Sequence, residues 1–285
     1  MSAAVDRVVF ATECVTIGAF RCAADHPSFR NSGPIRNDCF VFPRTAVVIQ
    51  HDNARAFVAD PTTVTLYNRR QHYERRLVSA DGDRCDWFAV SPHLLRAALR
   101  DVDPAAAEDD RPIQFTHAPA DAATYLEQRQ LFVDASAAAD IEPLGLEERV
   151  VALLERVLGV AYDDRRARGS GRHLPHAADL SDAAKRWIAP RVAQRLTLTR
   201  IARALDCSAF HLCRSFRRAT GLTLHGYRDA VRLRLALERL GDGERDLSRL
   251  ALDLGYSSHS HFSASFRQSF GVAPSAARKV LIARA

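Results

Sequence analysis

The sequence predicts an α+β protein: a β-rich N-terminal barrel with helices after it, then an all-α C-terminal domain containing two helix-turn-helix units. Three observations carry this. Short apolar runs of strand type dominate residues 8 to 90, helical periodicity takes over from residue 91, and a helix, turn, helix pattern near the C-terminus recurs at an offset of 49 to 50 residues. The length of 285 residues favours two domains. Apolar residues at 47% and charged residues at 26% supply ordinary globular cores.

The strand candidates are Val8–Phe10, Val15–Phe20, Cys39–Phe42, Ala46–Gln50, Ala56–Val58, Thr63–Tyr67 and Asp86–Val90. Turn chemistry separates them at Asp25–Pro27, Asn31–Pro34, His51–Asn53, Ala59–Pro61 and Asp81–Asp83. Short strands at this spacing indicate an antiparallel sandwich or small barrel, whose mouth can hold a small ligand. Ser91 and Pro92 then open a helix, Ser as N-cap and Pro in the first turn, where its missing N–H costs nothing. Helices are expected at 92–100, 121–136 and 145–161. The last carries Leu146, Val150, Leu153, Leu154, Val157 and Leu158 as one stripe, which either the same domain or a second subunit could cover. Residues 1–162 thus form a sensor or oligomerisation domain. Residues 163–180, polar and broken by Gly169, Gly171 and Pro175, are expected to be a linker to a domain at 181–285.

Charge divides along the same line. The net +6 resolves into 19 basic and 8 acidic residues over 181–285, a net of +11, against −5 for residues 1–180. A basic terminal segment on a mildly acidic body points to a polyanion partner for that segment alone, through phosphate contacts that release counterions. No apolar run reaches the length of a membrane span and no signal pattern opens the chain, so a cytoplasmic protein without a membrane partner is expected.

Six cysteines, at 14, 22, 39, 85, 207 and 213, include no CxxC pair, which suits free thiols in a reducing compartment. Cys14, Cys22, His26 and Cys39 lack the tight spacing of a zinc site, and the cysteines among them are expected to be buried small hydrophobes, with no metal and no cofactor. The GxSxG, Walker A, GxGxxG and HExxH patterns are absent, so no catalytic residue is assigned.

The repeat decides the reading of the basic segment. The stretch Leu198–Ser208 recurs 49 residues later as Leu247–Ser257, and Phe216, Arg217, Gly221 and Leu222 recur at an offset of 50 as Phe266, Arg267, Gly271 and Val272. Each copy has a helix, a short turn and a second helix, at about 198–219 and about 247–270. Ile201, Ala202 and Leu205 line the first helix of copy one, Ser208 caps the second, Leu212 and Phe216 are its core face, and Gly221 ends it. In copy two these roles fall to Leu250, Ala251, Leu254, Ser257 or Ser258, Phe262, Phe266 and Gly271. A helix-turn-helix lays its second helix in the major groove of DNA. The candidate contacts are Phe210, His211, Cys213, Arg214, Arg217 and Arg218 in copy one, and His259, Ser260, Ser263, Ala264 and Arg267 in copy two. Between the copies, Thr223–Leu240 presents Leu233, Leu237 and Leu240 on one face, with Arg228, Arg232, Arg234 and Arg239 supplying charge. Its 18 residues would span roughly 27 Å as a helix. Successive major-groove visits lie about 34 Å apart, so one chain is expected to cover two adjacent turns.

These residues resemble the AraC/XylS family of bacterial transcription regulators from Leu196 to Arg278, most closely over Leu254–Pro274. The resemblance implies a seven-helix DNA-binding domain and base contacts at the residues named above. Ala264 departs from the pattern, since members often carry a longer side chain there. Pro190 falls inside the first helix that the family would place in this domain, which is therefore expected to start late or kink. For the N-terminal half the resemblance implies a cupin-like barrel followed by dimerising helices. The cupin HxH-and-Glu metal pattern is missing, and His51 and His72 stand alone as structural histidines. Implied partners are double-stranded DNA and RNA polymerase, with a small-molecule effector and a second copy of the chain left open; activation is the family's commoner habit. The alternative is a DNA-binding tail fused to a thiol- or metal-dependent sensor or enzyme, such as a methyl-accepting domain with zinc-bound cysteines.

Overall fold

The computed structural model describes residues 5–137, 142–169 and 175–282, in two compact units, one up to residue 170 and one from residue 171. Among the described residues the first unit holds ten strands: β1 (Val5–Ala11), β2 (Val15–Cys22), β3 (Asn31–Ser32), β4 (Cys39–Pro43), β5 (Val47–His51), β6 (Phe57–Ala59), β7 (Thr63–Tyr67), β8 (Tyr73–Leu77), β9 (Asp83–Val90) and β10 (His117–Pro119). Helices α1 (Pro92–Arg100), α2 (Pro104–Ala107), α3 (Ala122–Ser136) and α4 (Pro143–Gly169) complete it.

The strands form a six-stranded sheet, β1-β2-β9-β4-β7-β10, and a four-stranded sheet, β3-β8-β5-β6, antiparallel throughout. Side chains alternate between faces with a period of two. In the larger sheet Ile17, Phe40, Phe42 and Phe88 therefore share one face, where Phe40 stacks on Phe88 at 5.3 Å. Helix α3 packs against strands of this sheet and its Arg129 pairs with the fully buried Asp86 on the same face. The opposite face presents Phe20, Val41, Cys85 and Trp87 toward the smaller sheet.

The stripe on α4 is covered by its own chain: Leu146, Val150, Leu153, Leu154, Val157 and Leu158 are all buried, and α4 packs on α1, α3 and β10. Its apolar face is thus spent within the unit. Helix α4 also runs to Gly169, well into the stretch expected to be a linker, and α5 begins at Pro175. Asp163 to Arg168 contain no Gly or Pro and are adequate helix formers; Arg165 lies 5.7 Å from the ring of Phe115, which itself packs edge-on against Tyr162. The middle of the expected linker, 170–174, lies outside the described residues.

The second unit contains α5 (Pro175–Ile188), α6 (Leu198–Ala204), α7 (Ala209–Thr220), α8 (Leu224–Gly241), α9 (Leu247–Asp253), α10 (His259–Phe270) and α11 (Pro274–Ile282). Pro190 neither delays nor kinks α5. The helix ends before it, and Pro190 sits in a 3₁₀ turn at Ala189–Arg191, where its missing N–H breaks no α-helical bond.

Candidate nucleic-acid interface

Both helix-turn-helix copies are fixed by the same local chemistry. Thr197, Ser208, Asp246 and Ser258 cap α6, α7, α9 and α10, each side-chain oxygen accepting from the N–H three residues on at 2.9–3.2 Å. Gly221 and Gly271 end α7 and α10 in the left-handed conformation, both at φ 74°. The turns share a left-handed residue at the same place, Asp206 at φ 49° and Gly255 at φ 78°. The residue inserted in copy two falls just after this point, so Ser258 rather than Ser257 is the cap.

Ile201, Ala202, Leu212 and Phe216 bury against Ala184, Ile188, Tyr227 and Val231. In copy two Leu250, Ala251, Leu254, Phe262 and Phe266 are buried, and Tyr256, Phe262, Phe266 and Phe270 form a chain of ring contacts at 4.6–5.7 Å. These cores leave Phe210, His211, Cys213, Arg214, Arg217 and Arg218 exposed on α7. On α10 His259, Ser260, Ala264 and Arg267 are exposed and Ser263 is half-buried, with its hydroxyl 3.3 Å from His259 Nε2. Phe210 is 76% exposed, a large apolar side chain on the outer face of its helix.

Helix α8 does more than space the copies. Leu233, Leu237 and Leu240 are buried as expected, but Arg232 and Arg234 are buried too, at 7% and 3% exposure, so its arginines are not a solvated charged face. Arg228 and Arg232 each donate from Nε to the Val192 carbonyl at 2.8 Å, and they also reach the carbonyls of Gln194 and Ala193 respectively. The Arg232 guanidinium lies 5.4 Å from the Tyr256 ring, and Tyr256 donates to Asp229 at 2.7 Å. One helix thus ties the 192–194 backbone beneath copy one to the turn of copy two. Periodicity alone could not distinguish these arginines from surface charge; their i, i+4 spacing at 228 and 232 was the available signal.

In the first unit, both sheets line a cavity of about 530 Å³ whose walls include Phe20, Val41, Ile49, Tyr67, Tyr73 and Trp87. Cys39 and Cys85 also face it. Burial pushes the Cys39 thiol up to about 12 and raises Cys22 and Cys85 as well, the opposite of what a reactive thiolate requires. Among the described residues no group of three or more His, Cys, Asp or Glu is placed to hold a metal.

His51 sits among the rings of Phe57, Tyr67 and Tyr73, and its Nε2 has no hydrogen-bond partner among the described residues. Burial lowers its pKa from 6.5 to about 4. The unfolded chain therefore takes up this proton first. Stability of the first unit should be full above about pH 6.5 and fall by on the order of 3 kcal/mol as pH drops toward 4. Urea unfolding across this range, compared with His51→Phe, isolates the contribution; an identical pH slope in the variant would assign the loss elsewhere.

Two capped, repeated helix-turn-helix units held by one helix define a DNA-binding protein of the double-reader class. The helix-turn-helix domain family matches residues 201–280. The regulatory protein SoxS of Escherichia coli (strain K12) is 38% identical over 89 residues, which are 31% of this chain and 83% of SoxS. Among solved structures, ToxT from Vibrio cholerae O395 aligns over 95% of this chain and 99% of its own, at 12% identity and a TM-score of 0.37. The C-terminal domain of AraT, a response regulator from Geobacillus stearothermophilus, aligns over 39% of this chain and 90% of its own, at 26% identity and a TM-score of 0.35. The chain belongs to the AraC/XylS family and is a DNA-binding transcription regulator. Among the described residues no helix is long and apolar enough to cross a membrane.

Proposed function

We propose that α7 and α10 enter successive major grooves of one duplex, and that the protein acts as an activator whose first unit senses a small molecule. The observation that carries the reading is the pair of exposed faces on two N-capped helices, held in one unit by α8. On α7, Arg214 is matched to guanine, which its guanidinium can bind in bidentate fashion, and Phe210 to a thymine methyl. Arg217, Arg218 and Arg267 serve the phosphates or adjacent bases. His211 and Cys213 flank the α7 contacts, while His259, Ser260, Ser263 and Ala264 form the shorter-reaching surface of α10. Arg214→Ala is expected to weaken specific binding by about 1–3 kcal/mol and to relax preference at one base position. Selection of bound duplexes from a random pool at fixed salt checks this, and equal loss on all sequences would make Arg214 a phosphate contact instead.

The same selection, run with the full chain and with residues 181–285 alone, tests the two-turn footprint and pairing of copies through residues 1–180. The aromatic-lined cavity between the sheets supports the sensing role, since its size suits a small organic effector. RNA polymerase is the partner through which DNA-bound protein would act, and transcription from a template carrying the selected site, with and without the protein, gives the sign of regulation.

A further inference from the structure

The indole of Trp87 forms a fixed platform on the wall of the interior cavity. Trp87 of β9 pairs with Gly18 of β2, and the period of two puts both on the cavity side of the larger sheet, together with Phe20. A Cβ on Gly18 would collide with the indole, so the ring lies across bare β2 backbone, in space that any other residue at 18 would fill. It reaches as far as β1, where Nε1 donates to Asp6 at 2.8 Å. With one side of the ring on Gly18 and its N–H spent on Asp6, the indole offers the cavity an apolar π face. Phe20, Tyr67 and Tyr73 extend the aromatic wall, the two tyrosine rings lying 4.9 Å apart.

The chemistry of the wall restricts what can occupy the cavity. Among the described residues, its charged side chains are Asp6, Arg36 and Asp83. Asp6 and Arg36 are exposed, and Asp83 is already held by Arg75 at 2.7 Å. The thiols and phenols of the wall are neutral at pH 7, because burial pushes Cys39 up to about 12 and raises Cys85, Tyr67 and Tyr73 as well. An ionised group carried inside would be a buried charge without a counter-charge, which is strongly disfavoured. A sugar would leave most of its hydroxyls without partners on so apolar a wall. We infer that the cavity binds an uncharged aromatic molecule stacked on Trp87, a ligand class that rests on the sensing role proposed above. Offset stacking on a ring adds to the gain from area burial alone, and this separates an aromatic ligand from an aliphatic one of similar size. The volume of about 530 Å³ lies in the range of small-molecule sites.

Calorimetric titration of the full chain at pH 7 with 2-naphthol, 2-naphthoate, 1-octanol and D-glucose tests the class. The naphthoate carries a carboxylate on the same rings, and octanol replaces the rings by an aliphatic chain. 2-Naphthol is expected to bind more tightly than 1-octanol, and about tenfold or more tighter than 2-naphthoate and D-glucose. Trp87→Leu should weaken 2-naphthol by roughly two- to tenfold and leave 1-octanol within about twofold, since a leucine keeps the apolar contact and loses the stacking. Asp6→Ala, at an exposed position, releases the indole and should give part of the same loss, which keeps the test open should Trp87→Leu fold poorly. No binding of 2-naphthol, or wild-type affinity for it in both variants, would overturn the assignment. Tighter binding of any other probe would overturn it too, while leaving the sensing role to a different ligand. Affinity of the full chain for its selected duplex, with and without saturating 2-naphthol, reads that role separately: binding that leaves duplex affinity unchanged would sink the sensing role and keep the ligand class.

Discussion

Gly255→Ala is expected to destabilise the C-terminal unit by about 3–5 kcal/mol and to lower duplex affinity at least tenfold. The residue holds φ 78° in the turn of the second helix-turn-helix, and a side chain in that region costs about 1–2 kcal/mol by itself. The larger part is collision. A Cβ at this position would run into the Ala193 carbonyl and the Arg232 guanidinium, and both are fixed, the first as backbone and the second by its bonds to Val192 and Ala193. Either the 192–194 segment or the turn must shift, and with it the register of α10 against α7. Asp206 occupies the equivalent place in copy one at φ 49°, so Asp206→Gly should change stability by no more than about 1 kcal/mol, relief of strain being offset by a freer unfolded chain. Urea unfolding followed by far-UV circular dichroism separates the two. A Gly255→Ala loss below about 1 kcal/mol would show that the clamp yields.

That contrast marks how far the sequence could be read. The repeat exposed both helix-turn-helix units because a turn, a cap and a glycine stop each demand particular residue types at fixed offsets, and Ser208, Ser258, Gly221 and Gly271 stand where those demands place them. The faces left bare on α7 and α10 follow by subtraction once Leu212, Phe216, Phe262 and Phe266 are assigned to the core. Arg228 and Arg232 were beyond this logic. A helical arginine contributes the same charge to the pattern whether it faces water or donates to a buried carbonyl, and only the tertiary path of residues 192–194 distinguishes the cases.

The N-terminal unit was legible where strands alternate or run apolar. The seven strand candidates correspond to β1, β2, β4, β5, β6, β7 and β9, with ends shifted by a few residues. Strands β3 and β10, of two and three residues, are too short for periodicity to register. Strand β8 is long enough but runs Tyr73, Glu74, Arg75, Arg76, Leu77, and its inward residue in mid-strand is an arginine rather than an apolar side chain. The cavity was equally hidden, because it is assembled by cross-strand register between segments far apart in the chain.

Arg75→Ala should cost the N-terminal unit about 3–5 kcal/mol, because the buried arginine that disguised β8 also holds the end of the barrel together. Its side chain is 2% exposed; Nε donates to the Phe29 carbonyl at 2.9 Å, one terminal nitrogen to Asp83 at 2.7 Å and the other to Ser32 at 2.6 Å. The guanidinium also lies 4.6 Å from the Phe20 ring centroid, with Phe29 and Tyr73 nearby. Removing it leaves the Asp83 carboxylate buried without its cation. Burial already raises the Asp83 pKa against the opposing pull of Arg75, so the variant should raise it further. A carboxyl that ionises less readily when folded favours the folded state as pH falls. The deficit of Arg75→Ala should therefore be largest near pH 7 and shrink toward pH 5. Replacing both partners, Arg75→Met with Asp83→Leu, should recover most of the loss, since a buried ion pair and an apolar pair of similar volume are often near equal in stability. Denaturant unfolding of the wild type and both variants at pH 7 and pH 5 checks the sequence of effects. If the deficit does not depend on pH, lost contacts to Phe29 and Ser32 dominate and the charge on Asp83 is not what the arginine neutralises.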